Sequence, residues 1–167
     1  GGLFRLKSIN SSLQLDSKVN IEESVITSLF QDSRGYVYIG TYLHGFYRYD
    51  IRKKNIENFE YSPYGTRSIN CNHVTGFAED KAGNIYISTN GGGINLMNIS
   101  TGEFTYFRQT DLVTKDFLIS DWCNCLFIDS QNTLWAGTYA GLSSINLTTK
   151  EISTYTITNS DISNNAI

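Results

Sequence analysis

Ile26-Thr27-Ser28-Leu29-Phe30-Gln31-Asp32-Ser33-Arg34-Gly35-Tyr36-Val37-Tyr38-Ile39-Gly40-Thr41 is the first of three related stretches in this chain. It returns 48 residues later as Val74 to Thr89, with Asp80, Gly83 and Thr89 in matching places. It returns a further 49 residues on as Cys123 to Thr138, with Asp129, Asn132, Trp135, Gly137 and Thr138 in register. A fixed period of about 20 to 50 residues marks a repeat architecture, in which each unit buries its neighbours and sites sit on the loops that vary.

Working outward from that stretch, each copy divides into four short apolar runs. The first run is Ile26 to Gln31, Val74 to Glu79 and Cys123 to Ile128; the second is Tyr36 to Thr41, Ile85 to Thr89 and Thr133 to Thr138. The third is Phe46 to Tyr49, Ile94 to Met97 and Leu142 to Ile145; the fourth is Ile56 to Tyr61, Glu103 to Phe107 and Glu151 to Tyr155. β-Branched and aromatic residues dominate them and none is long enough for a helix, so all are read as strands. Between the first two runs, Asp32 and Asp80 stand where a side chain can bond a turn's backbone, and Gly35 and Gly83 where φ is positive. Asn132 takes the glycine's place in the third copy, as the residue that best tolerates that conformation. The second runs are apolar without alternation, as expected of strands covered on both faces. Four-stranded units of this length, stacked on copies of themselves, describe the blades of a β-propeller. The expected fold is all-β: a partial propeller of four-stranded antiparallel blades, three of them whole, with flanking strands.

The shared pattern, apolar-x-x-apolar-apolar-x-Asp-x-x-Gly-x-apolar-aromatic-apolar-Gly-Thr followed by Gly-apolar, resembles the two-component regulator propeller repeat. Asp32, Gly35, Gly40, Thr41 and Gly45 carry it in the first copy, and Asp80, Gly83, Thr89, Gly92 and Gly93 in the second. Asp129, Trp135, Gly137, Thr138 and Gly141 carry it in the third. Ser88 departs from the strand-end glycine, and Tyr38 and Tyr86 stand where tryptophan is commoner. The resemblance implies the periplasmic sensor region of a Bacteroides-type hybrid two-component system, with a histidine kinase elsewhere in the parent protein. It further implies an oligosaccharide derived from a glycan as the ligand. This part of such a protein would bind and not catalyse. The alternatives are a propeller-type lyase or hydrolase, and a propeller that docks protein partners.

The period also fixes an expected layout. Gly2 to Leu6 aligns with Gly45 to Tyr49, and Ile162 to Ile167 with Ile69 to Val74. Residues 1–24 are then the last two strands of an incomplete blade with a connecting loop. Residues 25–73, 74–122 and 123–161 are blades, and 162–167 lead into another. An open arc of this kind exposes an apolar end face on the order of several hundred Å², the scale of known interaction patches. The expected partners are a second arc or the rest of the parent propeller.

Composition narrows the function classes. At 167 residues the chain can bury a core divided among its blades, and its net charge of −3 gives no basic footprint for nucleic acid. No apolar run approaches the ~20 residues of a membrane-spanning helix, so no membrane contact is expected within these residues. Three cysteines make no even disulfide framework, and Cys123 and Cys125, two apart on one strand, read as buried free thiols facing the same way. Only two histidines occur, His44 and His73, neither at metal-ligand spacing, and no nucleophile elbow is present; no cofactor or metal is expected. Asn90-Gly91-Gly92-Gly93 lacks the following helix of a phosphate cradle and reads as a tight turn.

Recognition then falls to loops. In an up-and-down blade, the second-to-third and fourth-to-next-first connections emerge at one end of the sheet, and here they differ between copies while the strands agree. They supply Tyr42, Tyr64, Tyr139 and Trp122 as flat apolar plates and His44, Arg67, Asn72, Asn90 and Asp121 as hydrogen-bonding groups. Sugars present apolar C–H faces ringed by hydroxyls, so this mixture suits them. Trp122, next to a first strand, reads as packing between blades.

Overall fold

The structure, a computed structural model, describes residues 3–9, 12–19, 21, 24–65, 67–109 and 118–167, with side chains from Lys18 onward. Gly2, and residues 110–117 of the connection from Thr110 to Asp121, therefore lie outside the described residues. Strands β1 (Leu3–Ile9) and β2 (Ser12–Val19) pair antiparallel as a two-stranded sheet. Blade 1 is β3 (Ile26–Gln31), β4 (Tyr36–Thr41), β5 (Phe46–Asp50) and β6 (Asn55–Phe59). Blade 2 is β7 (Val74–Glu79), β8 (Ile85–Thr89), β9 (Gly93–Met97) and β10 (Phe104–Phe107). Blade 3 is β11 (Cys123–Ile128), β12 (Thr133–Thr138), β13 (Gly141–Asn146) and β14 (Ile152–Tyr155). Each blade is an antiparallel meander in chain order, and the first strands β3, β7 and β11 approach one another, so they line the inner edge of the arc.

The turns joining first to second strands explain why the hairpins form where the repeat places them. Asp32 Oδ1 accepts the N–H groups of Arg34 (3.1 Å) and Tyr36 (2.8 Å). Asp80 does the same for Ala82 and Asn84, and Asp129 for Gln131 and Thr133, all at 2.9 Å. The glycine position is left-handed in every copy, with φ of 92° at Gly35, 83° at Gly83 and 67° at Asn132. The aromatic two residues into the next strand reaches back to the same carboxylate in two blades: Trp135 Nε1 donates to Asp129 Oδ2 at 2.8 Å and Tyr38 Oη to Asp32 Oδ2 at 3.3 Å.

The core lies between blades. Tyr38, Phe46, Ile69, Val74, Phe77, Ile85, Ile87, Met97 and Phe104 fill the layer between blades 1 and 2. Ala78, Tyr86, Ile94, Leu118, Cys123, Leu134, Ala136, Ile145 and Leu147 fill that between blades 2 and 3. Strand β8 sends Ile85 and Ile87 into one layer and Tyr86 into the other, so all five of its residues are buried. Each such aliphatic side chain contributes on the order of 1.5–3 kcal/mol of transfer free energy.

One feature was not foreseen from the sequence. The register of every first strand slips at its second residue: between Ile26 and Ser28, Val74 and Gly76, and Cys123 and Cys125. Thr27, Thr75 and Asn124 are thus bulged, and a bulge re-aims a side chain. Thr27 Oγ1 donates to the Val74 carbonyl (2.6 Å), Thr75 Oγ1 to the Cys123 carbonyl (2.7 Å) and Asn124 Nδ2 to the Ile167 carbonyl (2.8 Å). Val74 and Cys123 each open the next blade's first strand, so each bulge fastens one blade to the backbone of its successor. The slip also corrects the reading of the cysteines. Because one residue is inserted between them, Cys123 is buried while Cys125 is exposed, and all three cysteines are free. Burial pushes the Cys123 thiol up to about 12, so it acts as a small apolar group.

The departure at Ser88 is explained next to the bulge. The residue pairs facing each other there are Ser28 with Gly40, Gly76 with Ser88, and Cys125 with Gly137. A Cβ on Gly40 would stand 2.3 Å from Ser28 Oγ and one on Gly137 2.7 Å from Cys125 Sγ. There is room for one side chain per pair, and blade 2 places it on the opposite strand.

Candidate functional site

The inner end of the loop face is built from two positions per blade. One precedes the first strand (Val25, His73, Trp122) and the other follows the second strand (Tyr42, Asn90, Tyr139). Each pair is tied by a backbone rung: Tyr42 N–H to the Val25 carbonyl at 3.0 Å, Asn90 to His73 at 2.8 Å, and Tyr139 to Trp122 at 3.2 Å. The first strands line the inner edge and the second strands lie beside them, so the six side chains form an arc near the propeller axis. Five of the six are planar.

Rings meet along this arc. Tyr42 leans on His73 with centroids 4.4 Å apart, and Trp122 meets the edge of Tyr139 at 6.1 Å. Tyr42 (49%), Trp122 (56%) and Tyr139 (55%) remain largely exposed. Trp122 is therefore not packing between blades, as its place beside a strand suggested; it forms an isolated bridge with Asn90 and presents its ring outward. Asn90 Oδ1, at the middle of the arc, is buried and has no hydrogen-bond partner among the described residues. Partial burial holds the His73 imidazole below the ordinary histidine range, so it is neutral at pH 7. The arc is thus uncharged.

The other residues expected at the site lie elsewhere on the loop face or have structural duties. His44 Nδ1 lies 3.2 Å from Glu60 Oε1. Tyr64 is 96% exposed, beyond the end of β6, on a tight turn held by the Gly65 N–H to Ser62 carbonyl bond (3.3 Å), and Arg67 is exposed on the same connection. Asn72 closes that connection: its Oδ1 accepts the Tyr61 N–H (2.7 Å) and its carbonyl the Gly45 N–H (3.1 Å). Asp121 and Asn165 do the same for Gln109 (2.6 Å) and Ile157 (2.9 Å) in blades 2 and 3. The structure brings Tyr42, Asn90 and Tyr139 into one arc and adds His73 and Trp122. The signal for the added pair was available in the sequence, since both immediately precede a first strand and so share one position of the period.

The arc supplies planar, apolar and hydrogen-bonding surface at the axis of a blade array, without a charged centre. Among the described residues no group of three or more His, Cys, Asp or Glu is placed to hold a metal ion, and no helix is long and apolar enough to cross a membrane.

These features define a β-propeller chain. The two-component regulator propeller repeat matches residues 20–43, 68–91 and 118–140, so the chain carries three copies of that repeat. Among solved structures it is similar to one described as the extracellular domain of the hybrid two component system BT3049 from B. thetaiotaomicron. That likeness has a TM-score of 0.71 at 20% identity and covers 88% of this chain and 21% of the other. It is also similar to the extracellular domain of one described as the one component system BT4673 from B. thetaiotaomicron (TM-score 0.68, 22% identity, 92% of this chain and 22% of that one). Virginiamycin B lyase from Staphylococcus aureus shares the fold at TM-score 0.63 and 15% identity, over 90% of this chain and 47% of the enzyme. The chain spans about a fifth of the length of the first two. No curated protein matches the sequence.

Proposed function

We propose that this chain is part of the extracytoplasmic sensor propeller of a two-component system, and that it binds an oligosaccharide on the loop-face arc. The observation that carries the reading is the arc itself: the rings of Tyr42, Trp122 and Tyr139 stand exposed at the two rung positions that recur in each blade. Stacking on Tyr42, Trp122 and Tyr139 suits sugar C–H faces, with Asn90 and His73 supplying hydrogen bonds. Tyr64 and Arg67 stand at the outer part of the same face, where a longer ligand would reach them. The repeat and the likeness to extracellular domains of signalling systems support the sensor assignment and the periplasmic location. A ligand would shift signalling only by its differential affinity for two arrangements of the parent protein.

A lyase or hydrolase reading is less well served. Acid–base chemistry needs a proton-transfer group held in place by a partner. The arc's histidine instead rests on a tyrosine ring. Association is expected through the outer face of blade 3. There Phe127, between Leu126 and Ile128 that pack on the inner core, points the other way and is 62% exposed.

The test is calorimetric titration with a panel of neutral oligosaccharides. Saturable binding by the intact chain, lost in both Tyr42→Ala and Tyr139→Ala, is expected. Silence across the panel, or binding indifferent to both substitutions, rules the reading out.

A further inference from the structure

Blade 1 differs from its neighbours at one corner of the opposite end, where β3 turns into β4 and β5 into β6. All three blades cap the second of these turns alike. Asp50 Oδ1 accepts the N–H groups of Arg52 (2.9 Å) and Lys53 (3.0 Å). Asn98 does so for Ser100 (2.9 Å) and Thr101 (3.1 Å), and Asn146 for Thr148 (2.9 Å) and Thr149 (3.0 Å). The last turn residue is left-handed in each, with φ of 54° at Lys54, 70° at Gly102 and 67° at Lys150. The turn is therefore built equally well with serine and threonine where blade 1 has Arg52 and Lys53. Likewise Arg34 stands where blades 2 and 3 have Ala82 and Gln131, and Arg48 where they have Leu96 and Ser144. With Lys54, blade 1 gathers five of the chain's 13 lysines and arginines at this corner, although the net charge is −3. The turn does not require Arg52 or Lys53 there.

Two small adjoining clefts open at the same corner, of about 70 and 50 Å³, with Tyr36 and Asp50 in the walls of both. Lys53 lines the first and Arg34 and Arg52 the second. Two of the cations are already matched, Arg34 with Asp32 at 2.7 Å and Arg48 with Glu57. The side chains of Arg52 and Lys53 have no hydrogen bond or ion pair among the described residues. Of the carboxylates at the clefts, Glu57 in the first is taken by Arg48; Asp50, in both, has one oxygen committed to the turn, and the Lys53 N–H foremost holds its carboxyl below the usual range. Clefts this small lie well below the size of drug-sized ligand sites, so they admit only a single compact group and not an extended chain.

We propose that this corner is a second binding site, separate from the loop-face arc, for one compact oxyanion group such as a sulfate or a sugar carboxylate. Arg52 and Lys53 supply the charge-assisted hydrogen bonds, Arg34 the rim and Tyr36 the wall. The site does not depend on the function assigned to the arc.

The test is a titration of the isotopically labelled chain, followed by backbone amide shifts, with sodium sulfate, glucuronic acid and glucose. Sulfate and glucuronate are expected to saturate shifts clustered at residues 34–36 and 50–54, weakening as salt is raised. Glucose is expected to leave them unmoved. The double variant Arg52→Ser with Lys53→Thr, which copies blade 2, should keep the fold and lose about tenfold or more in affinity for both anions; Arg52→Gln alone serves if that variant does not fold. Binding of sulfate without glucuronate would restrict the site to free ions. Shifts that cluster elsewhere, equal binding of glucose, or unchanged affinity in the variant would overturn the proposal.

Discussion

At the turn end of the blades, Asp32, Asp80 and Asp129 accept the same two backbone N–H groups in three copies, and a left-handed residue follows each. At the loop end, Val25, His73 and Trp122 share one position and Tyr42, Asn90 and Tyr139 another, with little chemistry in common beyond the planarity of five of them. Backbone rungs of about the same length tie both kinds of position. The difference shows where the fold dictates a side chain and where it asks only for a main chain. A turn that needs a carboxylate keeps it; a rung made by N–H and C=O leaves the side chain to be chosen for recognition.

The loop end is not wholly free, and the largest expected effect exploits that. Gly45, Gly93 and Gly141 have φ of 57°, 68° and 146°, and a Cβ on them would stand 2.1, 2.2 and 2.4 Å from the carbonyl oxygens of Phe59, Phe107 and Tyr155. Gly93→Ala, in the blade covered on both sides, should destabilise by about 3 kcal/mol or more in denaturant unfolding. A loss below about 1 kcal/mol would mean that the loop end tolerates backbone change as well as side-chain change.

Next in size is the turn end. Asp32 is buried, takes two backbone N–H groups and holds Arg34, whose Nη2 also reaches the Gly83 carbonyl of blade 2 at 3.1 Å. Asp32→Ala should cost about 3 kcal/mol, since it strands buried donors and a guanidinium, against about 1 kcal/mol for Asp80→Ala. Equal losses would show that the buried pair adds nothing to the turn.

The same end should respond to pH. The Trp135 indole N–H first, and then the Thr133 N–H, hold the Asp129 carboxyl below the usual carboxylate range. A depressed folded-state pKa gives stability that is full above the unfolded value near ~4 and is lost as pH falls through the folded value. Asp129→Asn should therefore flatten the acid limb of a melting-temperature profile; an unchanged limb would contradict the assignment. On the alkaline side, burial pushes the Tyr86 hydroxyl up to about 12. Its contribution is full below the unfolded value near ~10 and declines as pH rises from there to the folded value, so Tyr86→Phe should soften alkaline unfolding.

The smallest stability effect belongs to the arc. Tyr139→Ala should change unfolding free energy by less than about 0.5 kcal/mol while abolishing oligosaccharide binding. A large destabilisation would move Tyr139 from recognition to architecture.

Much of this was legible from the sequence, because strand patterning and turn chemistry are local. The runs around Asp32, Asp80 and Asp129 became hairpins at the predicted residues, and Asn132 took the left-handed position expected of it. What escaped was non-local. The bulges at Thr27, Thr75 and Asn124 depend on an acceptor 43 to 48 residues away. They alone decide that Cys125 faces solvent while Cys123 does not. Asn72 looked like a recognition residue because its partner, the Tyr61 N–H, lies 11 residues back across an irregular connection. Trp122 looked like core because aromatics beside strands usually are; its exposure follows from the rung it makes, which no pattern of apolar residues reveals.

Thr27, Thr75 and Asn124 each grip a main-chain oxygen, something every amino acid owns. A unit so fastened asks no particular identity of whatever comes after it. Gene segments encoding such units can be duplicated, dropped or exchanged without rewriting the joint, and ancestry can multiply the vanes while each one drifts toward its own task.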